Sequence, residues 1–162
     1  MLLYLLRHGD AIEQGFDDAS RPLSPLGEDQ ALNVAQAFLS LKLPLDLILS
    51  SPLRRAQQMG EMIGKELKLK EFHTTEYLVP GSNERQLFRQ LNEYRKNSVL
   101  LVGHEPHLRL VASQIISGSR LAHIEVRKAS LLCLETSTAI QPESGVLKWM
   151  LTAEQMKNLK GR

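Results

Sequence analysis

Leu2-Leu3-Tyr4-Leu5-Leu6-Arg7-His8-Gly9 is the stretch on which the reading of the fold turns. Its unbroken apolar run reads as a strand buried on both faces, the pattern of a parallel sheet, and it ends abruptly on a cation, an imidazole and a glycine. Two further apolar runs end the same way. Residues 45–49 lead into Ser50-Ser51-Pro52-Leu53-Arg54-Arg55, and residues 98–102 lead into Gly103-His104-Glu105-Pro106-His107.

Helical patterns follow each of these runs. Ser24-Pro25 supplies a hydroxyl N-cap and a proline at the first helical position, and Ala31, Ala35, Phe38 and Leu39 then share one face up to a stop before Pro44. Ser51-Pro52 repeats that start ahead of Ala56, Met59, Ile63 and Leu67. A third helix is expected from Ser82 or Asn83, burying Leu87, Phe88 and Leu91, and a fourth after Pro106, carrying Leu108, Val111, Ala112 and Ile115. Strands are expected at 131–135 and 146–151, and Thr152 with Gln155 forms a capping-box signature for a short last helix. The alternation predicts a three-layer α/β/α architecture with a largely parallel central sheet. No internal repeat or linker divides the chain, so residues 1–162 are expected to form one domain, with the basic end, residues 157–162, a frayed tail.

The 162 residues suffice for a real core, and 43% hydrophobic with 23% charged residues is an ordinary globular balance. A net charge of +2 gives no ground for nucleic acid or membrane as a bulk partner, so any functional positive charge must be local. No stretch approaches the roughly 20 apolar residues that span a bilayer. The opening apolar run is short for a signal peptide and lacks a basic leader, so a cytoplasmic, soluble protein is expected, with a monomer as the simplest assembly. The single cysteine, Cys133, lies in an apolar run and reads as a core residue.

Sites in open α/β sheets form beyond the carboxyl ends of the strands. If the three strands neighbour one another, two arginines and two histidines converge on one crevice suited to an anion. Guanidinium forks match phosphate oxygens in pairs, and a neutral imidazole is an available nucleophile near pH 7. Phosphoryl transfer is catalysed mainly by positioning and charge stabilisation, which such a ring supplies. No Gly-x-x-x-x-Gly-Lys loop occurs, which argues against nucleotide-driven chemistry. His104 and His107 are spaced i, i+3 around Pro106, unlike the His-Glu-x-x-His helix of zinc hydrolases, and no metal or other cofactor is expected. His73 and His123 have no chemical neighbours in sequence and read as structural.

Taken together, Arg7-His8-Gly9, Ser51-Pro52-Leu53-Arg54-Arg55-Ala56-Gln57-Gln58 and Val102-Gly103-His104 resemble the histidine phosphatase superfamily, also called phosphoglycerate mutase-like. Arg7-His8-Gly9-Asp10-Ala11, Arg21-Pro22-Leu23-Ser24 with Gly27, and Gly103-His104-Glu105-Pro106 resemble its SixA-type phosphohistidine phosphatase branch. The resemblance spans residue 1 to about residue 150. It implies that His8 attacks phosphorus in line and carries the phosphoryl group. Arg7 and Arg55 would bind its oxygens, and His104 would stabilise the transition state. The Gly9 carbonyl would fix the His8 tautomer. Arg21 would be either a further phosphoryl-binding cation or the anchor of the long first loop. Met59 departs from the threonine often found there, and a change of packing without loss of activity is expected.

Larger members of that superfamily carry an acidic proton donor in an insertion before the late histidine. The corresponding stretch here, residues 69–83, is short, and the nearby acids Glu76 and Glu84 match no donor motif. An alkoxide leaving group needs a strong general acid, whereas the imidazole leaving from phosphohistidine titrates near neutrality. The expected substrate is therefore a phosphohistidine-bearing protein domain. Two alternatives stand beside it: a general phosphomonoesterase using Glu76 or Glu84, and a non-catalytic phosphohistidine-binding module.

Overall fold

The computed structural model describes residues 1–159. Six strands form one sheet: β1 (Leu2–Arg7), β2 (Leu47–Ser50), β3 (Phe72–Thr74), β4 (Ser98–Gly103), β5 (Leu131–Thr136) and β6 (Gly145–Leu151). The helices are α1 (Pro25–Ser40), α2 (Arg54–Glu66), α3 (Glu84–Tyr94), α4 (His107–Ser117) and α5 (Ala153–Lys157), with a 3-10 turn at Glu76–Leu78. The part of the expected frayed tail at 160–162 lies outside the described residues; Lys157 closes α5.

Strand order is β3-β2-β4-β1-β5-β6. The β1–β4, β2–β4 and β2–β3 pairs are parallel, while β5 runs antiparallel to both β1 and β6. Five of the six strands therefore point the same way, which is the largely parallel mixed α/β sheet that the sequence implies.

The two-residue period of a strand sorts the core into two layers. Leu3, Leu5, Leu47, Leu49, Val99 and Leu101 face one side, where α3 and α4 bring Leu87, Leu91, Leu108, Val111 and Ile115. Tyr4, Leu6, Ile48, Leu100 and Val102 face the other, against Val34 and Phe38 of α1, Met59 and Ile63 of α2, and Met156 of α5. Cys133 packs in that second layer, and burial pushes its thiol up to about 11, as befits an inert core residue.

Several local expectations need correction. Leu39 is exposed, because α1 turns it outward past the packed face. Strand β3 has no counterpart in the sequence reading; with three residues, one half-buried and two exposed, it offers no periodic signal. Helix α2 begins at Arg54 rather than Pro52, capped by Leu53 with no side-chain hydrogen bond. The Ser51 hydroxyl, read from the sequence as its cap, is engaged elsewhere. By contrast, Ser24 caps α1 by accepting from the Gly27 amide, Asn83 caps α3, and Thr152 with Gln155 completes the capping box of α5.

Candidate active site

The strand order makes β2, β4 and β1 consecutive, so their carboxyl ends open at one edge. Register places Arg7 beside Gly103 and Ser50 beside Val102. The pairing continues past the strands: the His8 amide donates to the Gly103 carbonyl (3.0 Å) and the Ser51 amide to the Val102 carbonyl (2.9 Å). Backbone hydrogen bonding thus sets the first residues beyond these strands, His8, Ser51 and His104, side by side.

His8 is 7% exposed. Its Nδ1 lies 2.7 Å from the Gly9 carbonyl oxygen and its Nε2 lies 3.3 Å from Arg55 Nε. A carbonyl only accepts and a guanidinium only donates, so the proton is on Nδ1 and Nε2 carries a lone pair. Burial, followed by the Arg55, Arg7 and Lys128 cations, lowers the His8 pKa to about 4, against the opposing pull of the Gly9 carbonyl. The imidazole is neutral through the physiological range.

Gly9 has no room for a side chain: an added Cβ would meet Gln30 Oε1 at 2.8 Å and the Gly27 carbonyl at 3.1 Å. Its amide donates to Met59 Sδ at 3.1 Å. Met59 is therefore more than the packing residue expected from sequence, since its sulfur satisfies a buried amide next to His8.

Arg55 is buried, and Nη1 donates to the Asp18 carbonyl at 2.7 Å while Nη2 lies 3.4 Å from the Asp18 carboxylate. Arg21 donates from Nε to the Ile12 carbonyl (3.0 Å) and from Nη1 to that same carboxylate (3.4 Å). The loop anchor is thus the contact Arg21 displays, and Asp18 links the two arginines. Arg7 donates from Nη1 to the Val126 carbonyl at 3.0 Å, and its buried Nε has no partner among the described residues.

His104 is 2% exposed, with Nε2 2.8 Å from Ser51 Oγ and a buried Nδ1 that has no partner among the described residues. Its ring centre lies 5.1 Å from that of His8. Burial, then the charges of His8 and Arg55, lower its pKa to about 3. His107 stands apart, its Nε2 bonded to the Tyr77 carbonyl at 2.9 Å. Among the described residues, no group of three or more His, Cys, Asp or Glu side chains comes together to hold a metal ion.

Glu84 is paired with Arg120, Glu76 is exposed, and among the described residues neither hydrogen-bonds to the His8 cluster. Glu105 is nearer, next to His104 in the chain. It is half-buried, burial raises its pKa, and Oε1 accepts from the Arg109 amide at 2.9 Å in the first turn of α4. The sequence reading gives no role to Asp18 or Lys128 and none in the site chemistry to Ser51. Ser51 carried a signal that was read as a cap, whereas Asp18 and Lys128 sit in loops without periodicity.

A family model for the histidine phosphatase superfamily (branch 1) matches residues 3–79. An uncharacterized protein of Picosynechococcus is 30% identical over 159 residues, which is 94% of this chain and 96% of that protein. The chain belongs to the histidine phosphatase superfamily. Phosphohistidine phosphatase SixA of Escherichia coli is 24% identical over 99% of both chains. The structure of the protein histidine phosphatase SixA complexed with tungstate aligns with a TM-score of 0.83 at 24% identity, covering 99% of this chain and 100% of that one. As a superfamily member this chain is a phosphatase that resembles SixA. No helix among the described residues is long and apolar enough to cross a membrane.

Proposed function

We propose that this phosphatase removes the phosphoryl group from phosphohistidine in a protein, through a covalent phospho-His8 intermediate. The observation that carries the reading is the state of His8: a buried, neutral imidazole whose Nε2 lone pair lies among the cationic side chains of Arg7, Arg55 and Lys128. A group prepared to bind a metal or to make a structural hydrogen bond has no need of that company. A nucleophile directed at a phosphoryl dianion does.

The Nε2 lone pair forms a bond to phosphorus in line as the P–N bond of the substrate breaks. The departing imidazole keeps the bonding electrons and leaves as a neutral ring, already protonated on its other nitrogen. Arg55 Nε, bonded to Nε2 when no phosphoryl group is bound, then turns to a phosphoryl oxygen. Arg7 Nε and His104 Nδ1 supply two more donors. Ser51 Oγ accepts from the Leu53 amide at 3.2 Å and keeps its own proton to donate; with that proton given to His104 Nε2, 2.8 Å away, the His104 ring proton is on Nδ1 and available to the phosphoryl group. A buried donor without a partner costs about 1–3 kcal/mol, so two of them at one strand edge favour an anion there. Water then attacks phospho-His8, releasing inorganic phosphate and restoring the neutral ring. Gly9 holds the tautomer throughout. Arg21 would add a more distant cation at the mouth of the site.

A second reading, hydrolysis of small phosphate esters, is favoured by Glu105. Burial holds its carboxyl above the usual range, against the opposing pull of the Arg109 amide and of the Arg7 and Arg109 cations. A protonated carboxyl could serve an alkoxide leaving group.

Both readings are tested by offering a phosphohistidine-bearing protein and p-nitrophenyl phosphate to the wild type, His8→Ala and Glu105→Gln. Rapid loss of phosphohistidine with slow ester cleavage, both abolished in His8→Ala, supports the proposal. Ester turnover that dominates and collapses in Glu105→Gln supports the second reading. Residual turnover in His8→Ala refutes the covalent mechanism.

A further inference from the structure

Beyond Arg7, Arg55 and the more distant Arg21, another cation, Lys128, stands at this site, and it arrives from the opposite side of β1. The segment entering β5 is fastened to the end of β1. The Ala129 amide is shared between the Arg7 and His8 carbonyls (3.1 and 3.2 Å), and the Ser130 carbonyl accepts from the Arg7 amide (3.3 Å). Ala129 holds a φ of 56°, a left-handed conformation that a residue with a Cβ adopts only where its surroundings impose it. This fastening fixes the Cα of Lys128 one residue from a backbone bond to the nucleophile.

The lysine side chain itself is half exposed. Its Nζ lies 3.1 Å from Asp10 Oδ1, two residues beyond His8. Asp10 is held independently of Lys128: Oδ2 accepts from Ser24 Oγ at 2.7 Å, and its amide donates to Gln30 Oε1 at 2.8 Å. Hydrogen bonds from Ser24 and then Lys128 keep its carboxyl below the usual range. The carboxylate is thus a fixed post on which a long, flexible cation rests.

We propose that Lys128 is a phosphoryl-binding residue, parked on Asp10 when the site is empty and turned to a phosphoryl oxygen when the site is filled. The inference rests on the phosphatase reading above. Its physical basis is division of labour. Arg7 and Arg55 are positioned by backbone carbonyls and form a rigid cradle, whereas a lysine ammonium is a point charge on a four-carbon stem that can follow the phosphoryl group. The parking bond is partly exposed and therefore weak, so a dianion displaces it at small cost. The lysine charge already bears on His8, where it disfavours the imidazolium.

The test uses inorganic phosphate as the probe, with its dissociation constant measured for the wild type, Lys128→Met, Lys128→Arg and Arg55→Ala. Thermal melting of each variant controls for folding. Lys128→Met keeps the alkyl stem and is expected to weaken phosphate binding roughly tenfold, about one partly exposed charge-assisted hydrogen bond, with melting close to wild type. Lys128→Arg is expected to stay within about threefold of wild type, since the charge is retained. Unchanged binding in Lys128→Met, with binding lost in Arg55→Ala, overturns the role of Lys128 and leaves the phosphatase reading standing. Loss in Lys128→Met that Lys128→Arg fails to restore also overturns it. Unchanged binding in Arg55→Ala refutes the underlying reading instead.

Discussion

Asp18 is the residue whose role depends most on magnitudes. Its carbonyl holds Arg55 by a 2.7 Å hydrogen bond, while its carboxylate, 69% exposed, lies 3.4 Å from both Arg55 and Arg21. An exposed ion pair is worth no more than about 1 kcal/mol, and the backbone bond survives any side-chain change. On the proposed function, the carboxylate therefore competes weakly for the guanidinium that would bind the phosphoryl group. Asp18→Asn is expected to lower the inhibition constant for inorganic phosphate roughly threefold, an effect read by steady-state inhibition. A weaker inhibition would instead give the carboxylate the task of holding Arg55. Residues of this kind were the least legible in the sequence. Arg7, His8, Arg55 and His104 stand out because chemistry-bearing side chains follow apolar runs. Asp18 and Lys128 sit in irregular loops whose approach to the site depends on backbone hydrogen bonds that no pattern announces.

The contrast between α1 and α2 shows how far a local signal reaches at the scale of an element. Both follow a Ser-Pro pair, at Ser24-Pro25 and Ser51-Pro52, which predicts a serine cap for each. Ser24 does cap α1, but it also donates to Asp10, so the start of that helix and the loop after His8 are one unit. Ser51 instead faces His104, and α2 starts at Arg54, two residues past the expected Pro52. A tertiary partner had captured the hydroxyl, which sequence spacing cannot show. In the α1 unit Gly27 is the constrained point, because a Cβ there would be driven into the Asp10 carbonyl oxygen. Backbone cannot give way as a side-chain tip can. Gly27→Ala is therefore expected to cost about 2 kcal/mol or more in urea denaturation, whereas Ser24→Ala should cost about 1 kcal/mol. Comparable small losses in both variants would mean that the Asp10 loop yields easily.

Across the whole molecule, the unbroken apolar runs of the central strands imply a sheet covered by helices on both faces, whereas which helices lie on which face is seen only in the packing. Strand order does not, yet the convergence of three strand ends depends on it. Convergence has a thermodynamic consequence, because it buries His8 and His104 together among cations. Both have folded-state pKa values, about 4 and about 3, below the ordinary 6.5. His107 is lowered as well, chiefly by burial. Below pH 6.5 the unfolded chain takes up protons that the folded chain refuses, so stability is full above that pH and falls on acidification towards the folded values. Glu105, raised by burial, opposes this only near the carboxylate range. The urea midpoint in phosphate-free buffer is accordingly expected to drop between pH 7 and pH 5. The double variant His8→Asn, His104→Gln, which cannot take up those protons, should show a distinctly flatter profile. If the double variant kept the wild-type slope, the acid sensitivity would have to come from outside the site.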